Sequence, residues 1–405
     1  MGKYTKEGRR RRKMLTSQAE NCEQPNGLIV SGDGTWKKRG FSSLYGVCTV
    51  IGHYSKKALD VEIKSSYCKA CVYWEKQKDT ESYAQWKETH DAECFANHTG
   101  SAGKMEVDAI VDIFRRSFVV HGIKYLFYVG DGDSKTFAGV LKSKPYGDNV
   151  LVQKKECIGH VQKRMGTRLR NVKKANKGLG GRGKLTGKLI DELTVYYGLA
   201  IRRHCNSLED MKKAIWATFY HKISTDENPQ HNYCPTGADS WCTFQKACAE
   251  GKLNEYHHKP ALPQDVRDAI LPVYEALSTD DLLNRCLGGY NQNSNESVNS
   301  VIWKIAPKIS SEDAEVVEIA AYIACSTFNE GAMAYLNVMQ MLNLKIGDKA
   351  HQWCMYADQH RVNAADLRAQ ESTREARSAH RLERLAAEDV LADAEGLQYG
   401  AGTAE

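Results

Sequence analysis

Asp33, Asp131 and Glu296 lie far apart in the chain, yet each stands where a carboxylate can reach a shared site. Asp33 ends an apolar, β-rich run, Asp131 ends a second one, and Glu296 opens a late helical stretch. Carboxylates gathered in this way hold Mg²⁺ or Mn²⁺, hard cations that prefer oxygen ligands and keep some of their waters. Two such ions, roughly 3.5–4 Å apart against a scissile phosphate, support phosphodiester cleavage and strand transfer. One ion would activate water or a DNA 3′-hydroxyl, and the other would stabilise the leaving oxygen. Taken singly, Asp33-Gly34 and Asp131-Gly132 are ordinary turn pairs and Glu296 an ordinary acid near a helix start. Only their joint placement makes a site. Asp133 competes for the second position; Asp131 is preferred because it directly follows the apolar run Tyr125–Val129.

Cysteine and histidine supply a second chemistry. Cys68-x2-Cys71, then 18 residues to His90 and three more to Cys94, has the spacing of a tetrahedral structural Zn²⁺ site. Trp74, Tyr83 and Trp86 would make its small core, and His98 is the rival fourth ligand. His231-x2-Cys234 with Cys242 is a possible second zinc set, to be completed by His221, Cys205 or Cys248. Cys22, Cys48, Cys286, Cys325 and Cys354 read as core residues.

These residues need elements to carry them. Leu28–Asp33, Tyr45–Ile51 and Ala58–Ser65 read as strands of an antiparallel meander, the last alternating with period two. Residues 67–103 form a Cys/His-bearing insertion. Met105–Phe118 has helical periodicity, Tyr125–Val129 is a buried strand, Ser134–Leu141 a short helix, and Asn149–Gln153 another strand. Three strands, helix, strand, helix, strand is the order of an RNase H-like mixed sheet with helices on both faces. Residues 161–281 read as mainly helical and basic at their start. Asn295–Ile305 and Asp313–Leu344 read as late helices, the second started by Ser310 with Asp313 three residues on. The expected organisation is therefore a basic arm over 1–26, a first core part over 27–160, the helical insertion, last core helices over 282–345, and a charged helical tail over 346–405.

Four blocks sharpen the reading. Asp33-Gly-Thr-Trp36 followed by Lys-Arg-Gly40, Gly130-Asp-Gly-Asp-Ser-Lys-Thr136, Cys157-Ile-Gly-His160, and Asn291-Gln-Asn-Ser-Asn-Glu-Ser-Val-Asn299 stand in this order. Together they resemble the catalytic blocks of Mutator-like DDE transposases, in particular the metazoan Mutator-like transposase domain. The resemblance runs from about Ile29 to Lys308. It implies that Asp33, Asp131 and Glu296 are the metal-binding triad and that the helical region is the insertion before the last acid. It also implies that His160 contacts the DNA backbone or leaving oxygen with Cys157 packed beneath it; alternatively, both simply fix a helix start. Self-association is a further expectation from the resemblance.

Charge patterning agrees with a nucleic-acid partner. The chain has 405 residues and a formal net charge of +6, but the basic residues are clustered. Arg9 to Lys13 form one run. Between Val161 and Ile190, ten Lys/Arg occur with no acid: Lys163, Arg164, Arg168, Arg170, Lys173, Lys174, Lys177, Arg182, Lys184 and Lys188. The Gly-rich Gly178–Gly183 among them lets backbone approach phosphates, and the cations replace condensed counterions, so binding should be salt-sensitive and largely sequence-independent. The loop lacks the Lys-Ser/Thr ending of a P-loop, and no small-molecule cofactor is expected. No apolar stretch is long enough to span a membrane, and the opening residues lack a secretory signal pattern. Thirteen cysteines without such a signal suit a reducing compartment, and the tetrabasic start suits nuclear import. The leading expectation is a transposase. The alternative is a domesticated nuclear DNA-binding protein without transposition activity, favoured by the lack of a recognisable DNA-reading module before Asp33. A related nuclease without strand transfer would share the same site.

Overall fold

Alternation of buried and polar positions builds the sheet. The computed structural model describes residues 27–38, 43–130, 135–308 and 313–371, so the basic arm, Asp131, Asp133, Ser310 and the end of the tail lie outside the described residues. The fold is mixed α/β. Strands β1 (Gly27–Trp36), β2 (Tyr45–Gly52), β3 (Ala58–Ser65), β4 (Lys124–Gly130) and β5 (Gln153–Glu156) form one sheet in the order β3-β2-β1-β4-β5. β2 pairs antiparallel with both β1 and β3, whereas β4 pairs parallel with β1 and β5. β2 is buried along its whole length, which explains its unbroken Val-Cys-Thr-Val-Ile run. β3 is an edge strand, and its period-two acids have a purpose. Arg116 clasps Asp60 and Glu62, and Lys64 bridges Glu62 and Asp112 at 2.9 and 2.7 Å. Burial opposes the Asp60 carboxylate, but hydrogen bonds from His121 and Arg116 outweigh it and draw the carboxyl below its ordinary range.

Helices α1 (Lys69–Trp74) and α2 (Glu81–His90) lie in the insertion after β3. α3 (Ala102–His121) then covers one face of the sheet, burying Ala109, Ile110, Ile113 and Phe114 against Val30, Val50, Tyr125 and Tyr128. It stops at Gly122, whose left-handed φ of 67° lets its N–H return to the Phe118 carbonyl at 2.8 Å. α4 (Lys135–Ser143) packs on α3 at Gly139, where a Cβ would meet Val107 at 2.5 Å.

The fifth strand is displaced from its expected place: Asn149–Val152 is not strand, and β5 starts at Gln153. The apolar triplet misleads because Val152 plugs the core while Leu151 is exposed. Pairing instead uses the polar run that reaches Glu156, opposite Gly130. Glu156 is fully buried, held by Arg164 and Arg285. An unpaired carboxylate there would be costly, so the two arginines fasten the helical region to the sheet edge.

That region comprises α5 (Ile158–Ala175), α6 (Gly187–Arg203), α7 (Leu208–Ile223), α8 (Thr243–Ala249), α9 (Gln264–Leu277) and α10 (Asp280–Cys286). α5, α6, α7, α9 and α10 share a core that includes Met165, Leu193, Tyr197, Ile215, Ile270 and Leu283. α11 (Asn293–Ile305) returns to β1. The expected helix over Asp313–Leu344 is two: α12 (Ala314–Glu330) and α13 (Met333–Met341). Gly331 breaks it with φ 71°, and a Cβ there would strike the Asp358 carboxylate at 2.4 Å. Asp358 instead accepts the Ala332 N–H at 2.9 Å. Two compact units divide between Cys325 and Ser326; the second contains α13 and α14 (Asp348–Glu371), joined around Ala332, Leu336 and Cys354.

Candidate active site and metal-ligand clusters

β1 and α11 are joined by a regular set of side-chain bonds. Ser31, Asp33 and Thr35 share one face of the strand, because side chains alternate with period two. Asn295, Asn299 and Trp303 share one face of the helix at four-residue spacing. The two ladders match: two strand residues rise about 6.7 Å and four helical residues about 6 Å. Ser31 Oγ donates to Asn295 Oδ1 at 2.6 Å, Asn299 Nδ2 to Asp33 Oδ2 at 2.8 Å, and Trp303 Nε1 to Thr35 Oγ1 at 2.8 Å. Asn295 is fully buried and also donates to the Ser31 and Thr49 carbonyls at 3.3 and 3.0 Å. Gln292 Nε2 reaches the Gly32 carbonyl at 2.7 Å. Glu296 is exposed and occupies the helical position four after Gln292 and three before Asn299, at the edge of the face that touches β1.

Replacing Asn295 with leucine should leave the buried polar groups of Ser31 and Thr49 without partners, at about 1–3 kcal/mol for each unsatisfied group. Urea denaturation should therefore show at least about 2 kcal/mol of lost stability. An unchanged midpoint would mean that α11 does not rest on β1 through this residue.

The parallel register pairs Ser31 with Val129, and β4 is described to Gly130; Asp131 and its competitor Asp133 follow outside the described residues. Beyond β5, Cys157 is the N-cap of α5 and is buried with Ile29, Val129 and Tyr290. The Ile158 N–H donates to the Tyr290 carbonyl at 3.0 Å. Burial pushes the Cys157 thiol up, but hydrogen bonds from His160 and the Gln292 backbone outweigh it and leave the thiol below its ordinary pKa. Cys157 and His160 thus touch each other, and Cys157 also ties the start of α5 to the approach to α11.

Cys68, Cys71, His90 and Cys94 converge in the insertion, with ligand atoms all within 4.8 Å of one another. His90 Nε2 lies 3.4 Å from Cys68 Sγ and 3.2 Å from Cys71 Sγ, and the Cys71 and Cys94 sulfurs are 3.5 Å apart. Burial pushes the Cys71 thiol up to about 12, with Cys94 and Cys68 adding to it. At Cys68 burial also opposes the thiolate, but the N–H groups of Cys71 and Phe95 outweigh it and draw the pKa down. Trp74, Tyr83 and Trp86, expected to form the insertion's small core, do lie together: Trp74 stacks on Trp86 at 5.2 Å, Tyr83 tilts against Trp86, and Trp86 also stacks on His90 at 4.3 Å. His98 is elsewhere: it is buried, with Nδ1 3.3 Å from Asp108 and its N–H on the Ser65 carbonyl.

The second cluster is His221, His231, Cys234 and Cys242, again with all ligand atoms within 4.8 Å. Of the three candidates to complete it, His221 does so; Cys205 and Cys248 are not in the group. These two sets are soft, nitrogen- and sulfur-rich groups that could hold zinc.

Residues 3–242 match the model of a family described as Mutator-like transposase, more than half of the 405 residues. The chain belongs to the Mutator-like transposase family. No curated protein and no solved structure gives a match. Family membership makes the chain transposase-like in kind, a protein that acts on DNA. The family match takes in Asp33, Asp131, His160 and both Cys/His clusters, and it ends before Glu296.

In this Mutator-like transposase chain the basic stretch divides into ion-paired and exposed residues, with Lys173 half-buried. Arg164 is bound to Glu156, Arg170 to Asp191 at 2.6 Å, and Lys184 to Asp265 at 2.8 Å. Lys163, Arg168, Lys174, Lys177, Arg182 and Lys188 are exposed with no ion-pair partner among the described residues. Gly178, Gly181 and Gly183 in the intervening loop all have positive φ. No described helix is long and apolar enough to cross a membrane.

Sequence reasoning missed Asn295, Asn299 and Gln292 as neighbours of Asp33. Their spacing opposite Ser31, Asp33 and Thr35 was the available signal. It also missed Glu106, whose carboxylate lies 3.0 Å from where a Cβ of Gly34 would stand and accepts from Thr136 Oγ1 at 3.3 Å.

Proposed function

We propose that the protein is a DDE-type DNA transposase whose Asp33, Asp131 and Glu296 hold two Mg²⁺ or Mn²⁺ ions on an RNase H-like core. The observation that carries this reading is the laying of α11 along β1, which brings Glu296 to the edge of the helical face that binds Asp33. The antiparallel meander of β1, β2 and β3 within a mixed five-strand sheet supports an RNase H-like core, and β4 runs parallel to β1 toward Asp131. The donor chemistry fits hard cations: Gln292 Oε1 and Asn299 Oδ1 are buried oxygens with no hydrogen-bond partner among the described residues. When bound, the ions would activate the attacking hydroxyl and stabilise the leaving oxygen. Asn299 orients Asp33 by donating to Oδ2, and His160 faces the DNA backbone or the leaving oxygen. Lys163, Arg168, Lys173, Lys174 and Arg182 engage DNA phosphates, with Arg164, Arg170 and Lys184 shared between phosphate and their acidic partners. Cys68, Cys71, His90 and Cys94 hold a structural Zn²⁺. The protein works in the nucleus, on element ends and target DNA, as an assembly of more than one copy.

The test is Mg²⁺- or Mn²⁺-dependent cleavage and strand transfer on pre-cut and nicked DNA, comparing wild type with Asp131→Asn and Glu296→Gln. Joined product that disappears in both variants, while salt-sensitive DNA binding survives, is the expected result. Cleavage without joining would make the protein a nuclease. Binding without metal-dependent chemistry would make it a domesticated DNA-binding protein.

A further inference from the structure

The second Cys/His cluster carries an outer layer of polar groups that fixes how its ligands are presented. We propose that His221, His231, Cys234 and Cys242 form a second, independent structural Zn²⁺ site, in which His258 and Asp226 hold His231 so that it binds through Nδ1. The ion would clasp the long segment between Lys222 and Leu262 onto α7.

The distances match a tetrahedral ion. With Zn–N of about 2.05 Å and Zn–S of about 2.3 Å, tetrahedral geometry gives N···N edges of about 3.3 Å and N···S edges of about 3.6 Å. The two histidine Nδ1 atoms are 3.4 Å apart. Cys242 Sγ lies 3.5 and 3.4 Å from the Nδ1 atoms of His221 and His231, and Cys234 Sγ lies 3.9 and 3.7 Å from the same pair. His231, Cys234 and Cys242 are buried, at 3%, 4% and 0% exposure, so the set is a closed site of the structural kind.

Proton bookkeeping around His231 leads to the same assignment. His258 Nδ1 is 2.6 Å from Asp226 Oδ1, and a carboxylate only accepts, so that nitrogen carries the proton. The other nitrogen of a neutral His258, Nε2, is then an acceptor. It lies 2.9 Å from His231 Nε2, which must therefore be the donor, with Ser224 Oγ also at 2.9 Å. A neutral ring protonated at Nε2 presents a lone pair at Nδ1, the atom that faces His221, Cys234 and Cys242. Histidine ligands are commonly oriented by such a hydrogen-bonded outer group. Phe244 stacks on His231 at 4.2 Å and closes the other side of the ring.

The segment has little regular structure and little apolar core. Between the end of α7 and Leu262 it contains only α8 and one short turn of 3₁₀ helix, Leu253–Glu255. The buried apolar cluster there is Ala217, Cys234 and Cys242 with Phe244 against them. Its ends are pinned together by the Leu262 N–H on the Lys222 carbonyl at 3.0 Å. A metal clasp supplies what an apolar core of this size does not.

Zinc content of the purified full chain should be two ions per chain, one from each cluster. The Cys71→Ser variant isolates the second site, and loading it with Co²⁺ should give the visible spectrum of a tetrahedral ion with two thiolates and two imidazoles. Adding Cys242→Ser should abolish that spectrum and expose the 224–262 segment to protease. His258→Phe and Asp226→Asn should retain the ion but weaken its hold about 10–100-fold in chelator competition. A Cys71→Ser chain that binds neither Zn²⁺ nor Co²⁺ while remaining folded would overturn the site. Unaltered metal affinity in both His258→Phe and Asp226→Asn would overturn the outer layer.

Discussion

Asp33→Asn is expected to reduce metal-dependent strand transfer by on the order of 1,000-fold, about 4 kcal/mol of transition-state stabilisation, with little change in folding or DNA binding. The substitution removes a negative charge from the proposed metal site but keeps the shape of the side chain. An asparagine oxygen can still accept the Asn299 Nδ2 hydrogen bond that holds Asp33 at 2.8 Å, so the packing of α11 on β1 is retained. Loss through misfolding and loss through chemistry are therefore separable in one variant. Thermal melting and salt-dependent DNA binding should match wild type while product formation vanishes. Retention of activity within tenfold would remove Asp33 from the chemistry.

Cys71→Ser is expected to melt the insertion without melting the sheet. Neither α1 nor α2 buries a single residue, so what packs beside the four ligands is a half-buried aromatic group, Trp74, Tyr83 and Trp86 with His90 itself. Binding free energies for structural zinc of this kind are about 10–16 kcal/mol and are coupled to folding. The insertion's other end is held independently: Asn97 Nδ2 donates to the Ile63 carbonyl at 3.0 Å, its Oδ1 accepts the Ser65 N–H at 2.8 Å, and the His98 N–H reaches the Ser65 carbonyl at 2.9 Å. Hydrogen exchange should show α1 and α2 losing all protection, β2 and α3 keeping theirs, and bound zinc falling by one ion per chain. Full protection of α2 in the variant would show that the helices need no metal.

The parts of the molecule legible in its sequence are those whose pattern depends on neighbours close in the chain. The meander could be read because Asp60, Glu62 and Lys64 alternate with Val61 and Ile63, and α3 because its apolar stripe has helical period. The first Cys/His cluster was complete in the sequence, its two pairs having zinc-site spacings. The second was three-quarters legible: His221 belongs to the end of α7 and gives no local hint that it faces Cys242. Asn295 was hidden for the opposite reason. A polar residue on a helix reads as surface, and its burial becomes apparent only when the strand residues Ser31 and Thr49 supply the partners. β5 was misplaced because apolarity at Val150–Val152 outweighed a polar strand whose one buried acid, Glu156, is neutralised by Arg164 on the following helix and by Arg285, distant in sequence. The helix break at Gly331 was missed because its cause, Asp358, is also distant in the chain.

Iron-directed cleavage of the protein backbone reports whether Asp33, Asp131 and Glu296 share one metal site. Fe²⁺ substituted for Mg²⁺ in the zinc-loaded chain, with ascorbate and peroxide, generates radicals that cut the polypeptide next to the bound ion. Cuts are expected in the same molecules near Asp33, near Asp131 and near Glu296, suppressed by excess Mg²⁺ and lost in Asp33→Asn. Cleavage confined to other segments, or a pattern near Asp33 that omits Glu296, would contradict a shared metal site built from these three acids.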